Sequence, residues 1–442
     1  MGLYPLGLGP CDRTTRDRRS VANGRVRAVR YVRGAMPTHA ALELPDRPSV
    51  AVLPFTDASD DPDAQTYADG VTEHLTYTLA CTPGLFVSGR NSAFTFKKRS
   101  VPPSEVGRAL GVAHVLEGTI ERGDDRVRLH ARLSAADGTG PLWSRPFEGD
   151  AAAIFDIHTE IVERTIAAIA PGLRVDRSGI ERTRFPADAG VYAKFLSAYS
   201  DYTAGSEESI RSLARSLDMI AALMPEQPLP LALKAQCYSY LVVQGWSTDL
   251  AADAAEGVRV AREALAMPRA RESPAVLMMT GHTLAFFGSG PDEALGLLER
   301  SLSLNPNSAA TYERSGWAHC FTGHADTAAA HFRAAKRQSP LDVTTFRFDS
   351  GLGLALCMGG EHAEAVAWLE RAIRENPAWT TSYRVLAASL AHLGRQEEAE
   401  AAARALLAFE PGYRIGVAMR LYRPSPGRDA FVEGMRRAGL PD

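Results

Sequence analysis

A proline returns near the end of the chain at Pro306, Pro340, Pro377 and Pro411, at intervals of 34, 37 and 34 residues. Between these prolines small and large residues recur at matching offsets. In the unit ending at Pro340, bulky Tyr312 precedes small Gly316, Gly323 turns the chain, and Ala328, Phe332 and Ala335 mark a second helix. The following units repeat this order as Gly353, Gly360, Ala365, Leu369, Ala372 and Pro377, then Tyr383, Leu386, Ala387, Gly394, Ala399, Leu406 and Pro411. An earlier unit contributes Ala294, Leu298, Ser301 and Pro306. Small residues let two helices approach closely, and proline, lacking an amide hydrogen, separates one unit from the next. A period near 34 predicts stacked helical hairpins, an architecture usually built to hold another protein.

Composition sets the outer bounds. The 442 residues suffice for two or three domains, and 45% hydrophobic with 23% charged residues describes an ordinary globular chain. A net charge of −3 gives no overall drive toward nucleic acid or anionic membrane. No stretch approaches the roughly 18 to 20 apolar residues of a membrane span. Five widely spaced cysteines, Cys11, Cys81, Cys237, Cys320 and Cys357, read as reduced thiols of a cytoplasmic protein. Leu8 to Cys11 has the outline of a lipoprotein cleavage site, but no basic residue leads it and Pro5 and Pro10 interrupt it.

Along the chain, residues 1–48 form a basic head and linker, with eight arginines from Arg13 to Arg33 and no apolar period. Such a run is expected to be a disordered, solvated lead-in; a basic arm for nucleic acid is the alternative, as is a true start at Met36. Residues 49–172 read as a compact α/β domain. Ser49 to Phe55 suits a buried strand, Gln65 to Ala80 a helix, Leu85 to Val87 a second strand, and Val101 to Leu110 a short helix. Ala113 to Glu121 and Arg126 to Leu133 alternate as strands around a Gly123-Asp124-Asp125 turn. A strand near Leu142 and a helix from Ala152 to Ala170 follow. Residues 173–187 are an Arg-rich linker, 188–412 about six helical hairpins, and 413–442 a capping helix and tail. The fold class is therefore α+β: a small α/β domain with a mixed sheet, followed by an all-α superhelix.

The hairpin residues resemble the tetratricopeptide repeat, with its small–aromatic–small–proline order. Four units match well, and two earlier ones, near 189–223 and 231–267, are degenerate. The resemblance implies a concave face lined by first helices, where Met279, Thr283, Phe286, Glu313, Trp317, Cys320, Arg347, Ser350, Leu354 and Arg384 would sit. The groove expected to bind a protein partner comprises Met279, Thr283, Phe286, Glu313, Trp317, Arg347, Ser350 and Arg384; packing between hairpins is the competing role for each.

Arg47 to Phe55 (RPSVAVLPF), Tyr67 to Glu73 (YADGVTE), Leu85 to Phe94 (LFVSGRNSAF) and Leu110 to Gly118 (LGVAHVLEG) resemble the TolB-amino-terminal-like domain of bacterial signalling proteins. In that family the domain precedes tetratricopeptide repeats and commonly follows a class III adenylate cyclase or winged-helix domain. The 48-residue head is too short to hold either as a stable core.

Motifs for chemistry were sought and set against plainer readings. No phosphate-cradling Gly-x-x-x-x-Gly-Lys-Ser/Thr, His-Glu-x-x-His or Gly-x-Ser-x-Gly occurs. Gly351 and Gly353 lack a third glycine and suit close helix packing instead. Asp57, Ser59, Asp61 and Asp63 alternate as in a calcium loop, but Pro62 and Ala68 occupy positions that need glycine and glutamate. His319, Cys320, His324 and His331 lack zinc-ligand spacing. Arg126, Arg128, His130 and Arg132 alternate onto one sheet face, a candidate anion-binding surface whose plainer reading is a solvated outer face.

These readings give no cofactor, no metal, no membrane contact and no enzyme activity. They predict a cytoplasmic bacterial regulatory protein that binds protein partners through a repeat groove, with a small effector as a further ligand. The alternative is the regulatory portion of a cyclase or winged-helix system whose effector lies on another chain.

Overall fold

The computed structural model describes residues 42–57, 62–123, 126–150, 153–173, 207–243 and 246–442. The basic head up to residue 41 with Cys11, the calcium-like positions 59 and 61, the turn at 124–125, the linker 174–187 and the start of the first hairpin lie outside them.

The first half is a six-stranded mixed sheet with helices on both faces. Strands β1 (Ser49–Val52), β2 (Thr56–Asp57), β3 (Phe86–Val87), β4 (His114–Arg122), β5 (Arg126–Ala135) and β6 (Pro141–Asp150) are ordered β3-β1-β4-β5-β6, with β2 also on β4. β1 runs parallel to β3 and β4, so it is covered on both faces and every residue in it is buried. β4, β5 and β6 pair antiparallel, and β5 alternates between inside and outside, leaving one face wet. Val127, Leu129 and Leu133 point toward helices α1 (Pro62–Ala80) and α4 (Ile154–Ile169), sharing their core with Leu75, Leu79, Ile161 and Val162. The opposite side of β1 packs against α2 (Arg90–Phe94) and α3 (Pro103–Leu110) through Ala93, Val106 and Leu110.

Among the described residues only helices follow. α5 (Glu207–Leu223) precedes five complete hairpins: α6 (Leu229–Val243) with α7 (Leu250–Ala266), α8 (Pro274–Phe286) with α9 (Pro291–Leu304), and α10 (Ala309–Thr322) with α11 (Ala325–Gln338). The last two are α12 (Thr345–Gly359) with α13 (His362–Glu375) and α14 (Thr380–His392) with α15 (Gln396–Phe409). Each first helix touches the first helix of the next hairpin, the geometry of a tetratricopeptide-like superhelix.

The repeat residues explain the stacking. Gly323, Gly360 and Gly394 end first helices with φ of +87°, +87° and +73°, backbone that favours glycine. The recurring prolines each follow the residue that caps a second helix: Asn305, Ser339, Asn376 and Glu410. Phe332 is fully buried with its ring against both Gly316 and Gly351; a Cβ on Gly351 would lie 2.2 Å from that ring. Gly353 likewise receives Leu369 at 2.6 Å from such a Cβ. The two glycines of the sequence reading thus admit side chains from neighbouring helices.

At the carboxyl end, α16 (Ile415–Ala418) leads to α17 (Pro426–Arg437), which returns to pack against first helices α14 and α12. Tyr422 meets the Phe321 ring edge-on, and the Arg423 amide donates to the Phe321 carbonyl. Among the described residues, no helix is long and apolar enough to cross a membrane.

Candidate functional site

The starts of α8, α10 and α12 meet the α/β domain. The join is mostly polar. Asn307, between α9 and α10, donates its amide to the carbonyls of Ala80 and Leu85, each at 2.9 Å, and accepts from the Val87 amide at 3.3 Å. One hairpin later, the Leu341 amide donates to Ser92 Oγ at 2.8 Å, Ser92 meets Ser339 at 3.0 Å, and Asn91 donates to Asp342 at 2.9 Å. The Gly89 amide donates to the Gln338 carbonyl at 2.6 Å, and a Cβ on Gly89 would lie 2.8 Å from Ser339 Cβ. Arg337 stacks over Phe86 at 4.4 Å and donates to the Gly111 carbonyl at 3.3 Å. Tyr77 reaches across to Ser273 and the Ala275 backbone.

Beside this seam lies a cavity of about 650 Å³. One wall comes from α1 and the β3–α2 segment, including Glu73, His74, Tyr77, Ser88 and Arg90; the other comes from the starts of α8, α10 and α12, including Met279, Glu313, Arg314 and Arg347. Buried Glu313 is shared by Arg314 and by Arg347 Nη2, the latter at 2.7 Å. Burial alone would raise the Glu313 carboxyl, but Arg347 and Arg314 outweigh it and hold it below its usual value. On the facing wall Glu73 pairs with Arg90 at 3.2 Å, yet burial still raises its pKa. Burial also holds His74 neutral, with its pKa lowered to about 4; its ring lies 4.9 Å from that of His158, which desolvation and His74 lower further.

The expected groove residues fall into three sets. Met279, Glu313 and Arg347 come together on the cavity wall. Arg384 is half-buried in the last hairpin, bonding to Thr381 at 3.1 Å. Thr283, Phe286, Trp317 and Ser350 lie inside the helix packing. Thr283 donates to the Met279 carbonyl, Phe286 meets Phe287, and Trp317 lies edge-on to Phe332 at 5.4 Å. Ser350 is fully buried, as are Cys320 and Leu354.

The arginine row on β5 is exposed and already engaged by acids. Arg126 and Arg128 face Glu148 at 3.7 and 3.4 Å, Arg132 donates to Glu117 at 2.9 Å, and His130 meets Ser144 at 3.2 Å. Pairs this exposed contribute little. In the array, the His319 ring lies 5.5 Å from that of His324 and 5.3 Å from that of His331. Among the described residues, no three metal-ligating side chains gather as a metal site. Cys81, Cys237, Cys320 and Cys357 form no disulfide among the described residues; burial raises Cys237 to about 12.

Sequence reasoning missed Asn307, Gly89, Ser92, Ser339 and Asp342. Their one visible signal is position: three of them flank the repeat prolines Pro306 and Pro340.

No family model matches the chain. It is 34% identical over 150 residues to "Putative adenylate cyclase 3" of Rhizobium meliloti (strain 1021), a match covering 34% of this chain and 26% of that protein. The chain thus spans about a quarter of that relative's length. Among solved structures, MamA aligns at 24% identity over 36% of this chain and 90% of its own, with a TM-score of 0.30. PilW, a type IV pilus biogenesis factor, aligns at 16% identity over 42% of this chain and 80% of its own, with a TM-score of 0.35.

Proposed function

We propose that the chain is a non-enzymatic, cytoplasmic bacterial regulatory protein whose helical array docks a protein partner on its inner face. The observation behind this reading is the array itself: five hairpins whose first helices share one side, with Arg347 and Arg384 only partly covered there. Partly desolvated arginines are favoured anchors at protein interfaces. In this reading Arg347 and Arg384 make the contacts, while buried Met279, Thr283, Phe286, Glu313, Trp317 and Ser350 hold the face in shape. The α/β domain, read as TolB-amino-terminal-like from its motifs, acts as the sensing module. To test this, partners captured by the wild-type chain would be compared with those retained by Arg384→Glu and Arg347→Glu. Loss of the same partner from both, with unchanged circular dichroism, supports the docking face; equal recovery by all three removes it.

A second reading draws on the 34% match to the cyclase-named protein: the chain is the regulatory portion of a cyclase or winged-helix system whose effector lies on another polypeptide. It predicts no cyclic AMP from ATP and Mg²⁺ or Mn²⁺ with the purified chain, and a changed rate when the chain is added to a cyclase partner. Turnover by the chain alone would overturn both readings.

A further inference from the structure

The cavity at the seam is built from two domains, and its chemistry is asymmetric. At about 650 Å³ it matches a single small organic molecule better than a folded partner. Ser88, 1% exposed, places on its wall a hydroxyl without a hydrogen-bond partner, and Arg347 Nε, on the opposite wall, also lacks one. Buried polar groups are normally satisfied, so an unpaired one calls for a ligand or an ion.

The helix ends around the cavity, rather than its nearly balanced side-chain charges, favour an anion. Helices α8, α10 and α12 all begin at the cavity, turning the positive ends of their dipoles toward it. The inner acids are already engaged: Glu73 by Arg90, Glu313 by Arg314 and Arg347, and Asp342 by Asn91 and Thr344. Glu226 and Glu272, also in the lining, are exposed, and Glu272 faces Arg269 at 3.8 Å. Phe94, Met278 and Phe348 give the rest of the wall an apolar character.

We infer that this cavity binds a small amphiphile carrying one oxyanion, carboxylate or phosphate, on an apolar body. The oxyanion takes donors from Ser88 and Arg347, and the body lies against the apolar wall. Because the donors come from different domains, binding tightens the seam. The inference goes beyond the scaffold reading and stands without it, since its test uses no protein partner.

The probes are 1-anilinonaphthalene-8-sulfonate and its uncharged analogue N-phenyl-1-naphthylamine, titrated by fluorescence into the full chain. The anionic probe is expected to bind at one site per chain, at least tenfold more tightly than the neutral one. Arg347→Gln and the cavity-filling Ala310→Trp should each weaken it tenfold or more. Ser88→Ala, which removes only an unpaired hydroxyl, should weaken it several-fold with unchanged melting. Exchange of the Gly89 and Leu341 amides should slow when the anionic probe is bound. Equal affinity for the two probes, or anionic-probe binding that Ala310→Trp and Ser88→Ala leave unaltered, overturns the proposal.

Discussion

Two seams hold this molecule together, and they are made differently. Between hairpins the contact is largely apolar: the Phe332 ring fills the space left by Gly316 and Gly351, with the ion pairs Lys336–Asp349 and Arg347–Glu313 beside it. Between the α/β domain and the array the contact is a set of directional hydrogen bonds through Asn307, Ser92, Ser339 and Asp342. The apolar seam gains from every buried methylene. Each hydrogen bond of the polar seam nets only about 1 kcal/mol, because water offers the same bond in the open state. The array should therefore be the firm body and the α/β domain the part whose attachment can be adjusted.

Phe332→Ala gives the largest expected effect. Emptying a fully buried aromatic site should cost about 3–5 kcal/mol in denaturant unfolding, and the loss should spread through hairpins α10–α13. Acid comes next and reaches both regions, since burial lowers His319 of the array to about 4 as well. Burial depresses the His74 pKa to about 4 from its ordinary 6.5, so the unfolded chain takes up the proton first. Its contribution is complete above about pH 6.5 and is lost as pH falls toward 4, about 2 kcal/mol between pH 7 and 4.5. His74→Phe should remove that part of the acid sensitivity of the α/β domain, as read by melting at the two pH values. Asn307→Leu follows: it leaves the Ala80 and Leu85 carbonyls unpaired and should cost about 2 kcal/mol, mostly at the polar seam. The smallest effect belongs to the β5 row, where Arg126→Ala with Arg128→Ala should shift stability by less than about 0.5 kcal/mol.

The two seams also differ in how far the sequence exposes them. The hairpin seam repeats, so its prolines, turn glycines and small residues return at a readable period, and helices such as Pro62–Ala80 and Ile154–Ile169 follow from apolar spacing. The polar seam joins residues more than 200 positions apart, as Asn307 to Ala80 and Leu85, through single Asn, Ser and Asp side chains that carry no period. Short elements set by tertiary contact, β2 and α2, escaped for the same reason. Legibility of the site is similarly split. Offsets in the first helices brought Met279, Glu313 and Arg347 onto one wall, but could not tell them from Thr283, Trp317 and Ser350, because inward and packing positions alternate within one turn. Nor does the repeat period reveal that α17 returns over α12 and α14.

The most direct test of a firm array carrying an adjustable α/β domain is residue-resolved amide exchange on the full chain, wild type against Asn307→Leu. The account predicts that the Val87, Gly89 and Leu341 amides lose protection while those flanking Phe332 keep theirs. Equal loss across both seams, or no loss at Val87, Gly89 and Leu341, would contradict it.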